Sequence, residues 1–234
     1  MKKIIITCIF ISISILFLFG LCLGSMRTLW NINHTNTSRH TTTTVVAEPN
    51  FTDIVSQSTE SVVAVYCLEY PNFPASGFYI GDGIIITAGH VAKTEGLTKV
   101  VFKDGSEHDI LDQIVCPDYD CGILIIKNIQ QPALKFDDDT LQIGQPLFII
   151  GNPAECTFLV TKGILSGFTE CGGYFGDTML LAYDVTATNG SSGSPVMDNE
   201  GEVVAVHVGS KANICVGIGK DDILNFLQSA KLGK

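Results

Sequence analysis

Thr188-Asn189-Gly190-Ser191-Ser192-Gly193-Ser194-Pro195 sets a serine among small, turn-forming residues, with strand-like runs at 179–186 before it and 202–208 after it. A nucleophilic serine needs such a turn. Gly190 lets the backbone bend so that successive N–H groups point inward. There they can hold the oxyanion formed when Ser192 attacks a carbonyl. The same stretch would also serve as an ordinary glycine-serine turn between strands. Its meaning therefore depends on whether a histidine and a carboxylate stand at strand edges elsewhere.

The chain has five histidines. His34 and His40 lie in a Thr-rich tract and His108 in a polar turn, which leaves His90 and His207. His90 follows an apolar strand in Thr87-Ala88-Gly89-His90-Val91. That is where a general base belongs, anchored by buried backbone yet facing a cleft. Asp120, in Asp118-Tyr119-Asp120-Cys121-Gly122-Ile123-Leu124, opens another apolar strand. A carboxylate there is costly to desolvate without a partner, and the second imidazole N–H is a suitable one. Asp118 is the alternative acid. His90, Asp120 and Ser192 thus stand in that order, each at a strand edge.

Around them the pattern is all-β. Strand runs are expected at 61–66, 76–80, 84–88, 99–102, 109–115, 122–127, 146–150, 158–167, 179–186, 202–208 and 215–218. Gly81-Asp82-Gly83 makes a hairpin of the second and third. Only residues 51–56 and 221–230 look helical. Short strands punctuated by Gly, Pro, Asn and Asp predict antiparallel β-barrels or a sandwich. Spacing alone does not choose between them; the reading adopted is two small barrels, at about 60–130 and 143–219, joined through the polar break at 136–144.

Lys and Arg number 14 against 24 Asp and Glu, a formal charge of −10 without a basic cluster. This excludes nucleic acid as an expected partner, because phosphate binding rests on Lys and Arg. No Cys-x-x-Cys or His-Glu-x-x-His pattern appears, so no metal and no cofactor is expected. The cysteines past the amino-terminal segment are Cys67, Cys116, Cys121, Cys156, Cys171 and Cys215, an even set, with Cys156–Cys171 bracketing a hairpin as the first pairing to consider.

The amino-terminal segment reads separately. Lys2-Lys3 precedes an apolar run from Ile4 to Leu23, and about 20 apolar residues match the hydrocarbon core of a bilayer. Residues 1–27 are expected to be a transmembrane signal-anchor or a cleaved signal peptide. With lysines ahead of the run, the body would lie outside the cytoplasm, on a single-pass anchor or secreted. Residues 28–50, rich in Thr and Asn, read as a stalk, and 51–234 as the folded domain.

Taken together, the ordered motifs resemble the trypsin/chymotrypsin-fold serine proteases from about Phe51 to Leu227. Thr87-Ala88-Gly89-His90 is similar to that family's T-A-x-H motif, Asp120 with Gly122-Ile123-Leu124 to its D-x-A-x-L motif, and Gly190-Ser191-Ser192-Gly193-Ser194-Pro195 to G-[DN]-S-G-G-P. Within the family the chain looks like the Deg/HtrA branch. The matching features are the opening at 51–65, Ile143 with Gly151-Asn152-Pro153, and Asp184 six residues before Gly190. The stretch around Ser192 and 202–210 is also similar to the chymotrypsin-like main proteases of RNA viruses.

The resemblance implies a chymotrypsin-like pair of six-stranded barrels and a serine endopeptidase acting on protein or peptide substrates. His90, Asp120 and Ser192 would be catalytic, with Gly190 and Ser192, and Ser191 beside them, as oxyanion donors. Ser191 and Ser194 depart from the usual Asp and Gly. His207 falls on the strand that walls the primary specificity pocket, with Val208 and Gly209 beside it. There it would contact a Glu or Gln side chain, with Thr186 or Thr188 as its partner hydroxyl.

Overall fold

The computed structural model describes residues 50–170, 173, 175–211 and 213–232. The apolar run at 4–23 and most of the stalk lie outside them. Among the described residues no helix is long and apolar enough to cross a membrane.

Helix α1 (Phe51–Thr59) starts at Asn50, whose side chain accepts the Thr52 N–H, one of the donors that a helix start leaves unpaired. The first half then folds as β1 (Val62–Cys67), β2 (Ala75–Gly81), β3 (Ile84–Ala88), the single helical turn α2 (Gly89–Ala92), β4 (Leu97–Phe102), β5 (Glu107–Asp109), β6 (Asp112–Val115) and β7 (Cys121–Ile125). These strands make a seven-stranded sheet in the order β5-β4-β1-β2-β3-β7-β6.

Here the expected six-stranded barrel needs correction. The run read as one strand at 109–115 is two short strands on opposite edges of the sheet. The Ile110 N–H donates to Thr98 O on the β4 side, whereas the Leu111 N–H donates to Ile125 O on the β7 side. One stretch of chain thus serves both edges, and the sheet curls without a closing ladder.

The second half does close. β8 (Pro146–Gly151), β9 (Leu159–Glu170), β10 (Met179–Tyr183), β11 (Pro195–Met197), β12 (Val203–Lys211) and β13 (Ile214–Gly219) form a barrel in the order β10-β13-β12-β11-β8-β9. Leu147, Ile149, Leu165, Leu181, Tyr183, Val196 and Val204 fill it. Residues two apart in a strand share a face, which sends these side chains inward. At the shift in β10–β9 register, Asp184 Oδ1 takes the Ile164 N–H at 2.7 Å.

The closing helix α3 (Lys220–Ser229) buries Ile223, Phe226 and Leu227 in the larger core that also holds Phe78, Ile86, Phe148 and Val206. The polar break between the halves is tied down rather than free. Phe136 bridges Val203, and Asp137 is 4% exposed with Lys220 Nζ 3.4 Å from its carboxylate.

Cys156 is exposed and its thiol is free. Cys171 itself lies outside the described residues.

Candidate active site

His90 sits in the turn α2 that caps β3, and Asp120 immediately precedes β7, the neighbour of β3. Pairing of Ala88 with Cys121 brings the two side chains together. Asp120 Oδ2 lies 2.8 Å from His90 Nδ1, and Oδ1 accepts the main-chain N–H of His90 at 2.6 Å. The Asp120 side chain is 8% exposed and that of His90 37%. This is the geometry of a sheltered carboxylate orienting an accessible base. Gly89 makes the approach feasible: a Cβ there would stand 2.9 Å from Asp120 Oδ1 and from Cys121 N. From the second barrel, Phe175 O accepts the Asp120 N–H at 3.0 Å. Asp118, the alternative acid, does not pair with His90 and lends its carbonyl to the packing against Gly176.

Half-buried Ser192 lies in the loop before β11. Gly190 (φ 93°) and Gly193 (φ 90°) flank it in left-handed backbone, which a side chain would strain. A Cβ on Gly193 would fall 2.0 Å from Ser76 O and 2.3 Å from Thr87 Oγ1. The loop is thereby laid against the strand that leads into His90. Among the described residues no hydrogen bond joins the Ser192 hydroxyl to His90, and catalytic contacts of this kind commonly tighten only when substrate binds.

The N–H groups sort the oxyanion donors. That of Ser191 donates to Thr188 O at 2.9 Å, so the expectation for Ser191 is corrected: its hydrogen is already engaged in the turn. Ser191 is buried, and its Oγ accepts the Thr188 N–H. Among the described residues, no hydrogen bond within the protein engages the N–H of Gly190 or of Ser192.

His207 lies on β12, 2% exposed, with its N–H donating to Ser194 O and its carbonyl accepting from Gly193 N–H. Its Nδ1 is 2.8 Å from Tyr183 Oη, and that hydroxyl also reaches Val216 O at 3.1 Å. Tyr183 therefore replaces Thr186 and Thr188 as the partner hydroxyl. Thr186 is exposed and its carbonyl accepts from Thr161 Oγ1. Sequence reasoning missed Tyr183 because the two residues meet across the barrel, through the order β10-β13-β12. Burial, and secondarily the charge of His90, pull His207 down to about 4, so its ring is neutral at neutral pH. Val208 is buried, and Gly209 lies under the Phe175 ring, whose Cζ is 3.0 Å from where a Cβ would be.

Away from these residues, carboxylate oxygens of Asp137, Asp198 and Glu202 lie within 4.8 Å of one another. It is the one group among the described residues with the geometry to share a cation, and Lys220 already faces it.

The trypsin-like peptidase domain matches residues 75–206. The chain is 32% identical over 169 residues to serine protease HTRA1 of Xenopus tropicalis, covering 68% of this chain and 36% of that protein. It is 31% identical over 148 residues to a probable periplasmic serine endoprotease DegP-like of Brucella suis, covering 59% and 28%. It thus spans about a third of the length of these curated relatives. Among solved structures, the Rv3671c protease from M. tuberculosis in its active form aligns with a TM-score of 0.68 at 21% identity, over 77% of this chain and 84% of that one. The HtrA-type protease AlgW with tripeptide aligns with a TM-score of 0.68 at 24% identity, over 77% and 63%.

Proposed function

Because the chain belongs to the trypsin-like peptidase domain family, we propose that it is a serine endopeptidase working through His90, Asp120 and Ser192. The observation that carries this reading is the double hold of Asp120 on His90, through the ring Nδ1 and the main-chain N–H. His90 takes the Ser192 proton as Oγ attacks the scissile carbonyl carbon, and Asp120 stabilises the imidazolium. The tetrahedral oxyanion accepts hydrogen bonds from the Gly190 and Ser192 N–H groups. Each such donor lowers the barrier by about 2.7–4 kcal/mol. His90 then passes the proton to the leaving amine. Water, deprotonated by the same imidazole, frees the acyl group and restores the serine.

For specificity the reading is a preference for Glu or Gln on the acyl side of the scissile bond. The Tyr183 hydroxyl touches both His207 Nδ1 and Val216 O, and in the proposed state it turns its one proton to Nδ1. The proton of the neutral ring then sits on Nε2, ready for the side-chain oxygen of a substrate. Thr186, Val208 and Gly209 would complete the pocket wall. The domain would act outside the cytoplasm, carried there by the segment at 1–27. The DegP-like relative, described as periplasmic, supports that placement.

Labelling with a fluorophosphonate probe tests the activity. The wild-type protein should react and Ser192→Ala should not, whereas Ser191→Ala should still react. Wild-type protein inert under conditions that label a control protease would make this a peptidase fold without peptidase chemistry.

A further inference from the structure

We propose that Ser76, on the first sheet, is the positioning residue that sets the oxyanion hole of the second barrel, with Asn152 fixing the direction of its hydroxyl. The proposal rests on the serine peptidase reading above and concerns what sets its rate.

Every carbonyl from 189 to 192 is held from outside its own peptide. Asn189 O accepts the Ala154 N–H at 2.9 Å, Ser191 O the Ser194 N–H at 3.0 Å, and Ser192 O the Ser76 N–H at 2.9 Å. Gly190 O accepts the Ser76 hydroxyl at 2.7 Å. Turning a peptide plane moves its carbonyl and its N–H together. The Gly190 N–H shares its plane with Asn189 O and the Ser192 N–H shares its plane with Ser191 O. Ala154 and Ser194 therefore aim these two free N–H groups directly, and the Ser76 hydroxyl pins the Gly190–Ser191 plane that joins them. Gly190 is the weak point, because without a Cβ its φ and ψ are limited by hydrogen bonds more than by sterics. Ser76 holds the plane on its carboxyl side and Ala154 the plane on its amino side.

A serine hydroxyl is ordinarily free to rotate, but this one is not. Ser76 is completely buried, and its Oγ accepts both the Asn152 N–H at 2.9 Å and Asn152 Nδ2–H at 3.1 Å. Both acceptor positions are filled, so the one proton points to Gly190 O. Asn152, also completely buried, is itself fixed. Its two Nδ2 hydrogens are shared among Ser76 Oγ, Val63 O at 3.0 Å and Ala75 O at 3.1 Å, and its Oδ1 accepts the Phe158 N–H at 3.1 Å. The first sheet thus supplies His90 and Asp120 and also sets the donors that meet the charge formed at Ser192. Dipoles fixed before reaction need no reorganisation during it.

The test compares wild type, Ser76→Ala and Ser76→Cys by fluorophosphonate labelling, resolving the limiting rate of inactivation from the half-saturating probe concentration. Thermal unfolding is followed by circular dichroism alongside. The phosphoryl oxygen of the probe occupies the oxyanion position, so the limiting rate should fall about 10–100-fold in Ser76→Ala. The half-saturating concentration should stay within about twofold, with most of the protein folded at the assay temperature. Ser76→Cys, keeping the shape with a poorer donor, should fall between. Labelling of Ser76→Ala at the wild-type rate overturns the proposal and leaves the peptidase reading intact. So does a loss that merely tracks the unfolded fraction in both variants. Wild-type protein that does not label at all overturns both.

Discussion

Asp120 uses both carboxylate oxygens on one residue, Oδ2 on the His90 ring at 2.8 Å and Oδ1 on the His90 main-chain N–H at 2.6 Å. Both partners are donors, so the site requires two acceptors. Asp120→Asn offers one acceptor and one NH2 group, and either way round a donor faces a donor. The ring would relieve the conflict by moving its proton to Nε2, the tautomer that cannot accept from Ser192. The expected result is a loss of about 10³–10⁴ in kcat with KM little changed. Steady-state kinetics on a cleaved peptide checks this, and a loss under tenfold would refute the assigned role of Asp120.

His207 gives the fold a pH dependence of definite sign. Its native value of about 4 lies below its ordinary 6.5, so between those values the unfolded chain binds more protons than the native one. The stabilisation from a neutral buried ring is complete above about 6.5, declines as pH falls, and levels off below about 4. Its size is roughly 3 kcal/mol. Asp198, Glu200 and Glu202 are shifted upward, chiefly by burial, and act in the opposite direction. The contribution of His207 is therefore read from a difference. Urea unfolding of wild type and His207→Gln at pH 7 and 4.5 should show the wild-type advantage shrinking by about 2–3 kcal/mol. A difference independent of pH would mean that the ring is not held neutral.

The Tyr183 hydroxyl decides which nitrogen of His207 is protonated, so Tyr183→Phe should act on specificity more than on catalysis. Peptides with Glu or Gln before the scissile bond should lose about tenfold in kcat/KM, the worth of one buried hydrogen bond. Fluorophosphonate labelling should be nearly unchanged. Profiling with a peptide library carries the decision. Cleavage after large apolar residues by the wild type would sink the pocket assignment.

The candidate site at His90, Asp120 and the loop around Ser192 was legible because each is a local pattern: a residue of known chemistry beside turn formers at the end of an apolar run. The strand at 84–88 matches β3, and the other strand runs overlap ladders of the structure. What escaped is what depends on distant pairing. Ser76 inside a hydrophobic strand reads only as a small residue, and Asn152 as a residue before proline. Their meaning appears once β2 and the end of β8 meet the nucleophile loop. β5 and β11 are three residues each, too short to show a period of two. The break at Ile110 and Leu111 follows from which edges lie nearby, not from either side chain.

Ser194 and Gly151 offer a test of that seam. Ser194 Oγ is buried without a hydrogen-bond partner, and it stands 2.0 Å from where a Cβ on Gly151 would be. An unpaired buried hydroxyl costs stability, so Ser194→Ala should be neutral or up to about 1 kcal/mol stabilising. Gly151→Ala alone should cost about 2 kcal/mol or more through overpacking. In the Ser194→Ala background the closest contact is gone, leaving Ser76 Oγ at 2.9 Å and Ser194 Cβ at 3.3 Å. The cost of Gly151→Ala should then drop by about 1 kcal/mol or more, a coupling that a double-mutant cycle in urea measures directly. Strict additivity would show that the hydroxyl does not occupy the space that keeps position 151 a glycine.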